Sequence, residues 1–145
     1  MRNHYVLSLL TLLACRPAAT IGSPSSLAGS SSATLAQVYY WRAKPGMLEA
    51  YNRYIKEVAE PIDAEAQRQD AFISVTTFAT RDTASPWTHM RMFLLRDSAQ
   101  LLGLPAALDA AGMRLEPDSA RRRARSEHAA TLRDRVGSSV LEIVK

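Results

Sequence analysis

The chain has 145 residues, of which 47% are hydrophobic and 22% charged, and this fits one ordinary globular domain. Its 18 basic and 14 acidic residues give a net charge of +4. Nucleic-acid-binding proteins carry a larger and more one-sided excess, so no nucleic-acid partner is expected. The only cysteine is Cys15. A domain that begins after it has no internal disulfide, no thiol nucleophile and no cysteine zinc site.

Residues 1–14 have the layout of a secretory signal peptide. Arg2 gives a charged start, and the following run Tyr5–Ala14 is uncharged and mostly apolar. This run is too short to span about 30 Å of hydrocarbon as a helix. The sequence therefore predicts an exported bacterial protein, either periplasmic or held at a membrane by an N-terminal anchor.

The signal ends in the sequence LLAC at positions 12–15, which resembles the lipobox of bacterial lipoproteins. In that family the chain is cut before the cysteine, which is then lipidated. The resemblance implies a lipid anchor at Cys15 as the membrane contact. Leu13 departs from the small residue usual at its position. The alternative is cleavage after Ala19 or Ala33, which gives a protein without an anchor.

Residues 15–33 are predicted to be a flexible linker. Six serines lie between positions 23 and 32, together with Pro24 and Gly29. Such a composition buries too little apolar surface to offset the entropy lost on ordering. The folded domain is therefore expected over residues 34–145.

The first half of this domain is predicted to be a strand, a helix and a hairpin. β-branched and aromatic residues indicate a strand over residues 34–43, and apolar residues at three- and four-residue steps indicate a helix over residues 47–69. Pro61 is expected to kink that helix or to start a second segment. Residues 71–80 and 87–96 are predicted to be the strands of the hairpin.

The second half is predicted to be two helices and a last strand. Asp97 is expected to cap a helix that runs toward Ala111, with a kink at Pro105 and a stop at Gly112. A second helix is predicted over residues 118–136 and a strand over residues 139–144. The run RRRAR at positions 121–125 is interpreted as a solvated helix face, with contact to anionic lipid as the alternative.

The resulting order β-α-β-β-α-α-β predicts an α+β fold of the ferredoxin-like, split βαβ type. Its four-stranded antiparallel sheet has helices on one face. The opening strand AQVYYWRAKPG, the helix after it and the hairpin FISVTTFATRD…SPWTHMRMFLLRD resemble the dimeric α+β barrel superfamily. That superfamily includes antibiotic-biosynthesis-monooxygenase-like and NIPSNAP-like domains. The resemblance implies a homodimer in which two sheets close a barrel, and it implies no single activity.

The densest polar cluster of the sequence is Trp87, His89 and Arg91. Alternate residues of a strand share a face, about 7 Å apart. If Tyr39, Trp41, Ser74 or Thr76 shares that face, which depends on the register of the sheet, an aromatic pocket with a few polar groups results. In this hypothesis His89 and Arg91 are the candidate catalytic residues, and Trp87, Tyr39, Trp41 and Thr76 are the candidate ligand-binding residues.

Three functions remain open from the sequence. The first is a dimeric binding or accessory domain of the cell envelope, holding a small apolar or aromatic ligand or none. The second is an enzyme, a cofactor-independent monooxygenase or isomerase with His89 and Arg91 in its site. The third is a structural dimer whose sheet and basic helix contact another envelope protein. For the polar cluster itself, the alternative to a site is packing of His89 and Trp87 in the core or at the dimer interface. No cofactor is predicted, and His89 and His128 alone predict no metal site.

Overall fold

The computed structural model describes residues 32–144, which form one sheet and a layer of helices. The predicted signal peptide, Cys15 and most of the predicted linker lie outside the described residues. The elements in chain order are β1 (Leu35–Ala43), α1 (Leu48–Tyr54), a π-helical turn (Ile55–Ala59), α2 (Glu60–Arg68), β2 (Ser74–Ala79), β3 (His89–Leu95), α3 (Ser98–Leu115), α4 (Ser119–Leu132) and β4 (Arg133–Glu142).

The four strands form one antiparallel sheet in the order β2-β3-β1-β4. This is the predicted ferredoxin-like α+β arrangement, and the pairing of β2 with β3 confirms the predicted hairpin. Burial alternates along β3, where His89, Arg91, Phe93 and Leu95 are buried. Their side chains face the helices. The residues between them point to the opposite side of the sheet, which we call the outward face.

The apolar core lies between the sheet and the helices. Phe93 of β3 meets Phe72 edge-on, with 5.1 Å between ring centroids, and meets Tyr39 of β1 in the same way at 5.9 Å. Leu104 of α3 and Ala66 of α2 are fully buried against these rings. Fully burying side chains of this size contributes about 1.5–3 kcal/mol each. The core therefore fixes both helices on the inner face of β3.

The predicted helix over residues 47–69 forms as one rod whose middle turn is π-helical. Pro61 lies in the first turn of α2, directly after that turn. A proline inside a helix removes one N–H donor and crowds the carbonyl four residues before it. The wider π turn accommodates both effects, so the chain passes Pro61 without breaking. Turns of this kind are frequent at functional sites.

Gly112 does not stop α3, which continues to Leu115. The prediction was wrong because this glycine serves packing between helices. A Cβ placed on Gly112 would lie 3.3 Å from Nη2 of Arg125 in α4. The Asp97 cap is confirmed, since its side chain accepts a hydrogen bond from the Gln100 backbone N–H at 2.9 Å.

The last strand begins at Arg133, and the prediction of a helix to residue 136 was wrong. Pairing of Arg133–Glu142 with β1 supplies a long backbone ladder that outweighs local helix propensity. The register of this ladder shifts between Tyr40 and Trp41, which leaves Val136 as the extra residue of a β-bulge. A one-residue shift exchanges the two faces of the sheet for the side chains of β4 on one side of the bulge, here residues 133–135. The bulge thus places Arg133 on the helix-facing side of the sheet.

Candidate functional site

His89 is buried where β3 begins, with 1% of its surface exposed. Its Nε2 lies 2.8 Å from Oδ1 of Asn52 in α1, and its Nδ1 lies 2.9 Å from the Thr88 hydroxyl. Because a carbonyl oxygen only accepts, Nε2 carries the proton and Nδ1 is the acceptor of the neutral ring. Both nitrogens of His89 are therefore engaged within the domain.

Two causes lower the pKa of His89 below its ordinary value of 6.5. The larger is burial, which disfavours the charged imidazolium, and the second is the positive charge of Arg133. Tyr51 closes the other side of the ring, edge-on at 4.6 Å between centroids. A neutral imidazole at physiological pH follows, consistent with its hydrogen bonds to Asn52 and Thr88.

Arg91 is held by a carboxylate that the sequence analysis missed. Its guanidinium forms a buried ion pair with Asp63 of α2, and Nε lies 3.4 Å from the Thr77 hydroxyl. Asp63 is 5% exposed. It follows Ile55 and Ala59 at four-residue steps on the buried side of the helical rod. An acid within an apolar stripe is the sequence signal that could have revealed this buried carboxylate.

A cavity of about 360 Å³ opens beside His89, and we call it the His89 cavity. Its hydrogen-bonding groups belong to Asn52, Thr77 and His89, and Ile55 and Ala79 supply apolar wall. Glu49, Lys56 and Glu60 line it as well. With two acids against one base, this cavity favours a neutral or weakly cationic molecule over an anion.

The structure divides the predicted site residues between the two faces of the sheet. Tyr39 pairs with Arg91, and Trp41 pairs with His89, so these four residues share the helix-facing side. Thr76 pairs with Met92 and lies on the outward face.

Trp87 also departs from the expected arrangement. It precedes β3, and its ring lies 6.0 Å from that of Tyr40, whose partner Met90 points outward. The predicted pocket is therefore not formed as one unit, because the register places Thr77 beside Arg91 in place of Thr76.

Arg133 builds an aromatic cluster that the sequence did not indicate. Its guanidinium carbon lies 3.5 Å from the ring centroid of Trp41, and Nη1 donates to the Tyr51 hydroxyl at 3.0 Å. Tyr54 contributes a third ring at 5.6 Å. Burial is the largest cause that raises the pKa of Tyr51, and Arg133 opposes it. The phenol is therefore neutral and accepts the hydrogen bond from Arg133.

Residues 32–144 contain no group of three or more acidic, histidine or cysteine side chains placed to bind a metal ion. In the same part of the chain, none of the helices is long and apolar enough to cross a bilayer.

No family model and no curated protein matches the chain. Two solved structures resemble it. HapK from Hahella chejuensis shares 12% identity at a TM-score of 0.48, and the match covers 76% of this chain and 92% of HapK. PA3566 from Pseudomonas aeruginosa shares 18% identity at a TM-score of 0.45, covering 81% of this chain and 98% of the other.

Proposed function

We propose that the domain is a homodimeric binding domain of the cell envelope, which holds a small, neutral aromatic molecule in the His89 cavity. The observation that carries this proposal is the cavity itself. It combines the apolar wall of Ile55 and Ala79 with the hydrogen-bonding groups of Asn52 and Thr77. Its volume lies within the range of about 300–1,000 Å³ that is usual for small-molecule sites.

The internal partners of the polar cluster favour binding over catalysis. Arg91 is neutralised by Asp63, and both nitrogens of His89 are engaged by Asn52 and Thr88. A general base needs a lone pair within reach of the proton that it removes. His89 gains one only if Thr88 releases Nδ1, so the cluster is better suited to holding the cavity wall in place.

The second candidate function is the cofactor-independent monooxygenase or isomerase. The specific observation in its favour is the lowered pKa of His89, caused mainly by burial, which keeps a neutral imidazole beside the cavity. In this function the hydrogen bond between Thr88 and Nδ1 of His89 breaks, and Nδ1 then takes a proton from the bound molecule.

The homodimer is proposed from the outward face of the sheet. Large apolar side chains lie there, on the side opposite to the helices of residues 32–144: Tyr40, Phe78, Met90, Met92 and Leu94. An apolar face of this kind is typical of an interaction surface. A second copy is the partner that the resemblance to the dimeric α+β barrel superfamily implies. The lipid anchor at Cys15 belongs to the same proposal.

The His89 cavity is tested with neutral aromatic probes, using indole, phenol and acetophenone in nuclear magnetic resonance titrations of the isotope-labelled protein. We expect saturable shifts at Asn52, Thr77 and Ala79. Thr77→Val removes a hydroxyl from the cavity and is expected to weaken binding about three- to tenfold. Thr76→Val is the matched control, because Thr76 is the neighbouring residue of the same strand on the other face.

A second variant, Ala79→Leu, fills the cavity and is expected to abolish the shifts without unfolding the domain. If none of the three probes gives saturable shifts, or if the shifts lie on the outward face, the His89 cavity is not the site. The enzyme is distinguished by liquid chromatography with mass spectrometry, which also separates isomers of equal mass, applied to a molecule that copurifies with the protein from its host. Its conversion in air, lost in His89→Gln, supports catalysis, and its recovery unchanged supports binding.

A further inference from the structure

A second cavity, of about 370 Å³, lies between α2, α3 and α4. Three arginines line it, Arg122, Arg125 and Arg133, and Asp109 is the one acid among its lining residues. We call it the arginine cavity. Its formal charge is opposite in sign to that of the His89 cavity, so the two are suited to different molecules.

None of these three arginines forms an ion pair with a carboxylate of residues 32–144, and Asp109 likewise stays outside the ion pairs of that region. Other arginines of the domain do form them, including the buried Arg91 with Asp63 and the exposed Arg96 with Asp70. The positive charge of the arginine cavity is therefore not neutralised within the described part of the chain.

Neutral groups nevertheless hold two of the three guanidinium groups in place. Arg122 donates to the backbone carbonyls of Glu116 and Pro117 at 2.9 and 2.6 Å. Arg133 lies against the Trp41 ring and donates one hydrogen bond to a tyrosine hydroxyl. A guanidinium has five N–H donors in a rigid fork, so such anchors leave further donors for a ligand.

The Arg125 guanidinium lies close to the backbone of α3, at a position where α3 has a glycine. Gly112 is buried in the last turn of that helix, and a Cβ there would meet Nη2 of Arg125 at 3.3 Å and Cδ1 of Ile62 at 3.9 Å. Glycine within a helix costs about 0.5–1 kcal/mol relative to alanine. Here it provides the space that Arg125 occupies at the wall of the cavity.

We propose that the arginine cavity binds a small organic anion, taking its carboxylate or phosphate group between Arg122, Arg125 and Arg133 and its apolar body against Ile62 and Leu108. Guanidinium forks match the oxygens of both groups in bidentate geometry. The side chains of Ile62 and Leu108 provide the apolar wall. The β-bulge at Val136 is part of this site, because the register shift turns Arg133 inward.

Calorimetric titration of the purified protein with phenyl phosphate and with benzoate tests the site. We expect saturable binding, and a Kd raised about tenfold or more in Arg125→Gln, which loses charge-assisted hydrogen bonds. Arg123→Gln is the matched control. It removes an equal charge from an exposed position of α4 that does not line the cavity, and its Kd is expected within about twofold of the unmodified protein.

Gly112→Ala gives an independent test. Its methyl group displaces the Arg125 guanidinium, so binding of phenyl phosphate weakens while circular dichroism shows an unchanged fold. Arg133→Gln is expected to act like Arg125→Gln. Should Arg133→Gln fail to fold, because Trp41 and Tyr51 pack on Arg133, the other two variants decide the matter.

Titrations with inorganic phosphate and with lipid vesicles distinguish a small organic anion from free phosphate and from a lipid headgroup. Inorganic phosphate is expected to bind more weakly than phenyl phosphate, and equal affinities would overturn the role of the apolar wall. Vesicles containing phosphatidylglycerol test a lipid surface. If vesicles bind, phenyl phosphate and benzoate do not, and Arg123→Gln and Arg125→Gln weaken vesicle binding alike, the charge acts through the helix surface and the cavity proposal is wrong.

The arginine cavity is separable from the His89 cavity. Indole is expected not to compete with phenyl phosphate, and Thr77→Val is expected to leave the affinity for phenyl phosphate unchanged. The two proposals can therefore fail independently: loss of indole binding counts against the His89 cavity, and loss of phenyl phosphate binding counts against the arginine cavity.

Discussion

The ring of Tyr51 stands edge-on to the imidazole of His89, with 4.6 Å between the two centroids. The hydroxyl of the same tyrosine accepts a hydrogen bond from Arg133, whose positive charge helps to lower the pKa of His89. Tyr51 is fully buried and therefore joins the polar clusters of β3 and β4 inside the domain. These contacts connect the walls of the two cavities.

Stability is expected to fall as the pH decreases because of His89. Its pKa is lower in the folded chain than in the unfolded chain, so below about pH 6.5 the unfolded state binds more protons and is favoured. The loss begins near the unfolded value and is complete once the pH has passed below the folded value. Urea unfolding at pH 5 and pH 7 should show a lower midpoint at pH 5.

His89→Gln tests this assignment, since it is expected to reduce the difference between the two midpoints. His128→Gln is the control, because His128 lies on the exposed surface of α4. Equal pH dependence in the unmodified protein and in His89→Gln would show that other groups cause it.

The buried ion pair between Arg91 and Asp63 predicts a large effect of removing one partner. Asp63→Asn leaves a buried guanidinium without its counterion and is expected to lower the free energy of unfolding by about 3–5 kcal/mol. Asp70→Asn is the matched control. Its partner Arg96 is at the surface, so the denaturation midpoint should change little.

The double variant Arg91→Met with Asp63→Leu replaces both charges by apolar groups and is expected to recover most of the lost stability. A double variant as unstable as Asp63→Asn would mean that the pair acts through its geometry. Denaturant titration of all four proteins gives the comparison.

If two copies pack through the outward face of the sheet, a charge introduced at the centre of that face is expected to weaken the dimer. Met92 lies there, opposite Val38 on β1 and Thr76 on β2. Met92→Lys is expected to reduce the native mass from two chains to one, because an unpaired ammonium is costly to bury. The mass is measured by light scattering after gel filtration. Met113→Lys, on the exposed surface of α3, should remain a dimer.

Lipidation at Cys15 predicts that the full chain, expressed in a Gram-negative host, fractionates with membranes and incorporates labelled palmitate. Cys15→Ala should abolish the label and move the protein out of the membrane fraction. Label absent from the unmodified chain would favour cleavage after Ala19 or Ala33, and label retained in Cys15→Ala would show that the lipid is not on Cys15.

The order of the elements was predictable because it depends on local pattern. Alternation in β3 and the helical spacing of Tyr51 and Ile55 are set by backbone periods of two and 3.6 residues, and they can be recognised without knowing the partner strand or helix. The Asp97 cap is equally local, since its hydrogen bond reaches only to Gln100. These features predicted the ferredoxin-like α+β fold that the structure has.

The candidate sites depend on contacts between distant residues, and only the tertiary structure decided them. Asp63 and Arg91 are 28 residues apart, and Tyr51 and Arg133 are 82 residues apart. Which side chains meet across a sheet depends on register, and a shift of one residue exchanges the two faces. The bulge after Arg135 is such a shift, and it turns Arg133 toward the helices. Local pattern carries no information about that choice, because the backbone ladder and the packing of the helices fix it together.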